Sequence, residues 1–136
     1  MANFIYNKAK QAILNGEFDF STNSFGVLFT TNLYTPNQNV HEFVSDIGSS
    51  GIAVRVPTLN NISNNLGVVD ADDITFSLPA NTSIVAMVFY QLGVSDADSR
   101  LLFYVDTSEG LPYPGSSEEV TVTIAWNNSS TKILSI

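Results

Sequence analysis

Apolar residues recur along this chain with two different periods. Near the start, Ile5, Tyr6, Ala9, Ala12 and Ile13 fall on one stripe at helical spacing, with Asn7, Lys8, Lys10 and Gln11 opposite. Asn3 is a good N-cap and Gly16 supplies a left-handed stop, so one short amphipathic helix is predicted over residues 4–15. An isolated helix of about 12 residues is marginal in water, so the stripe needs a surface to dock on. That surface is either the chain's own body or a neighbouring subunit, and self-docking is favoured because an exposed stripe of this kind invites aggregation.

After Glu17 the period changes to that of strands. FGVLFTT (25–31) is apolar on both faces, GIAVRVPTL (51–59) alternates around Arg55, and ITFSL (74–78) alternates again. SIVAMVFYQLG (83–93) and RLLFYVD (100–106) are apolar runs joined by the polar loop VSDADS, which predicts a hairpin buried on both faces in the middle of a sheet. EEVTVTIAW (118–126) sets Val120, Val122, Ile124 and Trp126 against Thr121, Thr123 and Ala125, the pattern of a strand wet on one face. TKILSI is expected as a final strand paired back on its predecessor, and the segments 32–51 and 111–117 as loops. Together these predict a mainly β chain: an antiparallel β-sandwich or jelly-roll-like barrel of about eight strands with one N-terminal helix.

At 136 residues the chain fits a single domain, 1–136, able to bury roughly two thirds of its surface. The absence of cysteine removes any disulfide framework and any thiolate metal or redox site. No apolar run reaches signal-peptide or membrane-spanning length, so a soluble product made in the cytoplasm is expected. The Asn-x-Ser/Thr sequences at Asn61, Asn81, Asn127 and Asn128 then read as turn chemistry.

Charge is divided unevenly. The net charge is −8, but Lys8 and Lys10 precede every acidic residue; from Glu17 onward three bases face thirteen acids, a balance of −10. Such a body repels phosphate backbones and acidic membrane surfaces, so neither nucleic acid nor membrane is an expected partner, and a basic protein patch is the natural one.

Catalytic chemistry is sparse. His41 is the only histidine, which excludes two-histidine metal sites, and no nucleophile-elbow sequence accompanies it for a Ser-His-Asp arrangement. It reads as a loop histidine hydrogen-bonded near Glu42. Two acidic runs, with Asp70, Asp72, Asp73 in one and Asp96, Asp98 in the other, offer hard oxygens at alternating positions and are the candidates for calcium, although they also suit solvated turns and lack EF-hand spacing. Paired carboxylates beside Tyr34, Tyr113 and Trp126 would suit a glycosidase, but Trp126 sits on the apolar face of its strand. The expectation is no catalytic residue and no cofactor.

Two segments carry a family resemblance. The opening YNKAKQAILNGEFDF, followed by FGVLFTT and YTPNQNVHEFVSDI, together with the closing TIAW, Asn-rich turn and KILSI, resembles small virion structural proteins of tailed phages. The resemblance implies a β-rich virion component, a capsid decoration or cement protein bound to the major capsid protein or other virion proteins as a dimer or trimer. Alternatives are a tail, neck or fibre component, or a carbohydrate-binding sandwich using Tyr34, Tyr90 or Tyr113 as a stacking platform. The residues expected to meet a partner are Ile5, Tyr6, Lys8, Lys10 and Ile13.

Overall fold

The structure is a computed structural model describing residues 3–19, 24–65, 68–107, 111–124 and 134–135. Its centre is a five-stranded antiparallel sheet. In chain order its strands are β1 (Asn3–Ile5), β2 (Phe25–Thr30), β3 (Ile52–Val56), β7 (Ala86–Gln91) and β8 (Arg100–Val105), arranged β1-β8-β7-β2-β3. Two smaller antiparallel sheets complete the fold: β6 (Ile74–Leu78) pairs with β9 (Val120–Ile124), while β4 (Ser63–Asn65) and β5 (Val68–Asp70) are extended by β10 (Leu134–Ser135). The central sheet ends at β1 and β3 without joining itself, so the architecture is sandwich-like and is not a closed barrel.

The doubly apolar runs are explained by what lies on each side. In β2 the side chains alternate, with Phe25, Val27 and Phe29 on one face, continued across register partners by Phe89 and then Phe103. Phe89 stacks between Phe25 and Phe103 at 5.7 and 5.1 Å, and Phe76 of β6 covers Phe29 at 4.9 Å. The β6–β9 pair therefore forms the second layer, with Ile74 and Leu78 buried, Phe76, Val120, Val122 and Ile124 half-buried, and Thr75, Ser77, Thr121 and Thr123 in water. The opposite face, carrying Leu28, Val88, Tyr90 and Tyr104, is covered by the segment between β2 and β3, whose Tyr34, Val44 and Ile47 are buried. That segment is not plain loop: it contains two short 3-10 turns at Val44–Asp46 and Ser49–Gly51.

The N-terminus departs from its periodic reading. Asn3 is no N-cap, because residues 3–5 form β1 against β8, with Phe4 opposite Tyr104. The Asn3 side chain instead clamps the end of that pair, Oδ1 accepting the N–H groups of Asp106 and Thr107, both at 3.1 Å, and Nδ2 donating to Thr107 O at 3.0 Å. The outer edge of β8 offers a full row of backbone bonds, and pairing with it outweighs one further helical turn. The helix α1 is Asn7–Leu14, entered from Tyr6 without a side-chain cap. It ends as expected at Gly16 (φ +74°), where Gly16 N–H donates to Ile13 O and Glu17 N–H to Ala12 O, closing a Schellman motif.

One further expectation changes. The last strand, β10, pairs with β5 through Leu134–Val69 and Ser135–Val68 rather than with β9; residues 131–133 and 136 lie outside the described residues. Trp126, Asn127 and Asn128 also lie outside them. Asn61 (φ 53°) and Asn81 (φ 61°) hold left-handed turn positions, the conformation that asparagine tolerates best after glycine.

Candidate functional site

Helix α1 packs on β8 with Ala9 and Ala12 buried, and the preceding Tyr6 is wholly buried. Of the residues expected at a partner, Tyr6 therefore belongs to the core, Ile5 and Ile13 are half-buried against it, and only Lys8 and Lys10 stand free in water. Alanine at positions 9 and 12 lets the helix approach the sheet closely. The opposite side, with Asn7, Lys8, Lys10, Gln11 and Leu14, is exposed.

Tyr6 anchors a buried chain of polar atoms that spacing in the sequence does not reveal. Its Oη lies 2.8 Å from Tyr34 Oη, which lies 2.9 Å from His41 Nδ1. The N–H of Asn37 also donates to Nδ1, at 3.1 Å, so this nitrogen is an acceptor. Tyr34 must then donate to His41, and Tyr6 to Tyr34. His41 also stacks on Tyr34 at 5.4 Å, and among the described residues no serine hydroxyl reaches it. Its geometry is that of a structural acceptor that fixes the covering segment, not of a base facing a nucleophile.

The acidic candidates for calcium do not converge. Asp96 makes a two-pronged pair with Arg55 at 2.8 and 3.2 Å, Asp98 accepts from Ser95 Oγ at 3.2 Å, and Asp72 accepts from Asn61 Nδ2 at 2.6 Å. Asp70 sits in β5 and Asp73 in the turn before β6. Among the described residues no group of three or more carboxylates or histidines is placed to hold a metal ion. A stacking platform fares no better: Tyr90 is wholly buried, Tyr34 is committed to Tyr6 and His41, and Tyr113 is half-buried, bridging to Ile84.

Cations and carboxylates are distributed unequally. Arg100 bonds Glu42 at 3.0 Å and Glu17 at 3.3 Å while lying 5.2 Å over the Phe43 ring. Arg55 is held by Asp96. Both arginines are thus neutralised within the chain, whereas Lys8 and Lys10 make no ion pair among the described residues. The free positive charge of the described body is concentrated on the outer face of α1.

Ionisation links these contacts to pH. Burial pushes the Asp46 carboxyl up, but the N–H groups of Phe43 and Glu42, at 2.9 and 2.8 Å, with His41 nearby, outweigh it and leave Asp46 below its ordinary value. Asp96 is lowered chiefly by its bonds to Arg55. Both carboxylates stabilise the fold above the unfolded value of about 3.9, and that contribution is lost as pH falls through their folded values. At the other end, burial raises Tyr34 and Tyr104 to about 12 and Tyr6 still further. Their contribution is complete below about pH 10 and is lost as pH rises towards 12. Melts across pH should show a broad plateau with an acid edge below about pH 4 that Asp46→Asn and Asp96→Asn flatten. An acid edge identical in the double variant would contradict the assignment.

No family model, curated protein or solved structure matches this chain.

Proposed function

We propose that this chain is a non-enzymatic structural protein of a phage particle, a decoration or cement protein that binds the capsid lattice through the exposed face of α1. The observation that supports the reading is a local rule the chain breaks. Lys8 lies in the first turn of α1, where the helix dipole disfavours a cation and where no acidic residue is present. With thirteen carboxylates in the chain, neither Lys8 nor Lys10 is paired among the described residues, although both arginines are. Residues that break a local rule without compensation are where a functional contact is first sought.

A cement protein needs no active site. It needs a rigid body and a patch that repeats, because symmetric association multiplies interfaces of about 800 Å² per partner into durable ones. The partner would be the major capsid protein or another virion protein, with copies of this chain arranged as dimers or trimers on the particle. Particles lacking the protein are expected to lose their genome at lower temperature or under milder osmotic shock. Unchanged heat tolerance in a clean deletion overturns cement function. Copy number separates the head from the tail, neck or fibre: hundreds per particle mean a shell protein, a handful the alternative.

A further inference from the structure

We propose that the outer edge of β1 is a strand-acceptor site for an extended, acidic segment of a partner protein. This deepens the docking role proposed above, on which the identity of the partner surface rests.

β1 ends the five-stranded sheet and, among the described residues, pairs on one side only, with β8. Tyr6 N–H points inward to Leu102 O, so the backbone groups of Asn3, Ile5 and Asn7 point outward, by the alternation of an antiparallel strand. A single residue from the covering segment occupies this edge. Gln38 accepts the Asn7 N–H on its backbone oxygen at 2.9 Å and donates its side-chain amide to Ile5 O at 3.1 Å. It fills the place of a strand for the length of one residue, and past it the edge continues along Ile5 and Asn3.

The edge borders a groove of about 520 Å³ whose walls include Phe4, Ile5, Phe103, Tyr104 and Val105, with Lys10 beside it. Apolar walls flanking an open backbone row are the requirements of strand addition, in which main-chain bonds give affinity and alternate side chains give specificity. Natural sheets usually blunt such edges. Here one displaceable amide does so, while an unpaired cation marks the rim. The body as a whole favours a basic partner. At this groove, however, the one charged lining residue among those described is Lys10, which selects an occupant with a carboxylate opposite it.

Two probes test the site without any particle: an acetylated pentapeptide Val-Glu-Val-Glu-Val and its Val-Lys-Val-Lys-Val counterpart, titrated into the whole protein and followed by backbone amide shifts. The acidic peptide is expected to bind more tightly by at least about fivefold, the scale of one rim charge of about 1 kcal/mol. Its shifts should centre on the Asn3 and Ile5 amides and the Gln38 side chain. Lys10→Glu should reverse the preference, and Gln38→Ala should tighten binding, because only its side-chain donor is removed. Equal binding of the two peptides, shifts centred away from β1, or no binding up to the solubility limit overturns the site. A particle that fails to bind the protein, with the acidic peptide still seated on β1, refutes the virion reading and leaves the acceptor edge standing.

Discussion

Tyr6→Ala is expected to lower stability by about 3–5 kcal/mol, the range for removing a fully buried large aromatic side chain. For a domain of this size that is on the order of 10–20 °C in Tm. Tyr6 is wholly buried, its ring packs edge-on against Phe4 at 5.1 Å, and it joins β1 to α1 at the point where the chain turns from strand to helix. Truncation opens a cavity there and also removes the donor that Tyr34 accepts from. The finer variants order themselves by which atom they strand. Tyr6→Phe leaves Tyr34 still donating to His41 and should cost about 1–2 kcal/mol. Tyr34→Phe leaves the buried Tyr6 hydroxyl with nothing to bond and His41 Nδ1 with only the Asn37 N–H as donor, and should cost more. Combining the two phenylalanines should cost less than the sum of the single changes, because the second removes a partner the first has already orphaned. Thermal melts of the four proteins decide it: additive costs, or a Tyr6→Phe larger than Tyr34→Phe, would refute the Tyr6-to-Tyr34-to-His41 direction of donation.

That chain was hidden from the sequence for a physical reason. Tyr34 and His41 lie seven residues apart in an irregular segment and Tyr6 lies on another element, so nothing periodic links them; only the folding of residues 31–51 over the sheet does. The strands tell the opposite story. The both-face apolar runs in β2, β7 and β8 are legible because each face of the central sheet is covered, by β6–β9 on one side and by Tyr34, Val44 and Ile47 on the other. The alternation of β9 is legible because only one of its faces is covered. β1 fails for its length: three residues, Asn-Phe-Ile, fit a helical stripe as well as a strand, and the free edge of β8 decides between them. β4 and β5 are equally short, and Ser63, Asn64 and Asn65 carry no apolar pattern at all. Of the proposed contact surface, the charge imbalance was readable from the start, because it depends only on where the lysines fall in the chain. That Ile5, Tyr6 and Ile13 face inward was favoured only by the aggregation that an exposed stripe invites, because a stripe that docks on its own body and a stripe that docks on a neighbour are written identically.

Reversing the helix charge is the decisive experiment on function. Lys8→Glu with Lys10→Glu should leave folding intact while weakening binding to the particle on the order of 10–100-fold, from roughly 1 kcal/mol or somewhat more per reversed contact. The design separates contact from stability better than deleting residues 1–16 would. Such a deletion removes Tyr6, Ala9 and Ala12 from the core, so its product is expected to unfold whatever the helix binds. Both lysines are exposed and unpaired among the described residues, and glutamate matches lysine in helix propensity. At position 8, in the first turn, a carboxylate interacts favourably with the helix dipole where the lysine does not, so the variant should melt no lower than the parent. Lost binding therefore cannot be charged to lost structure. The residual affinity of the parent should also fall between low and physiological salt, since exposed charges are screened beyond about 8–10 Å, while that of the variant should not. Particle occupancy unchanged by both reversals, at low salt and with the fold intact by melting, would remove α1 from the interface and with it the observation on which the virion reading stands.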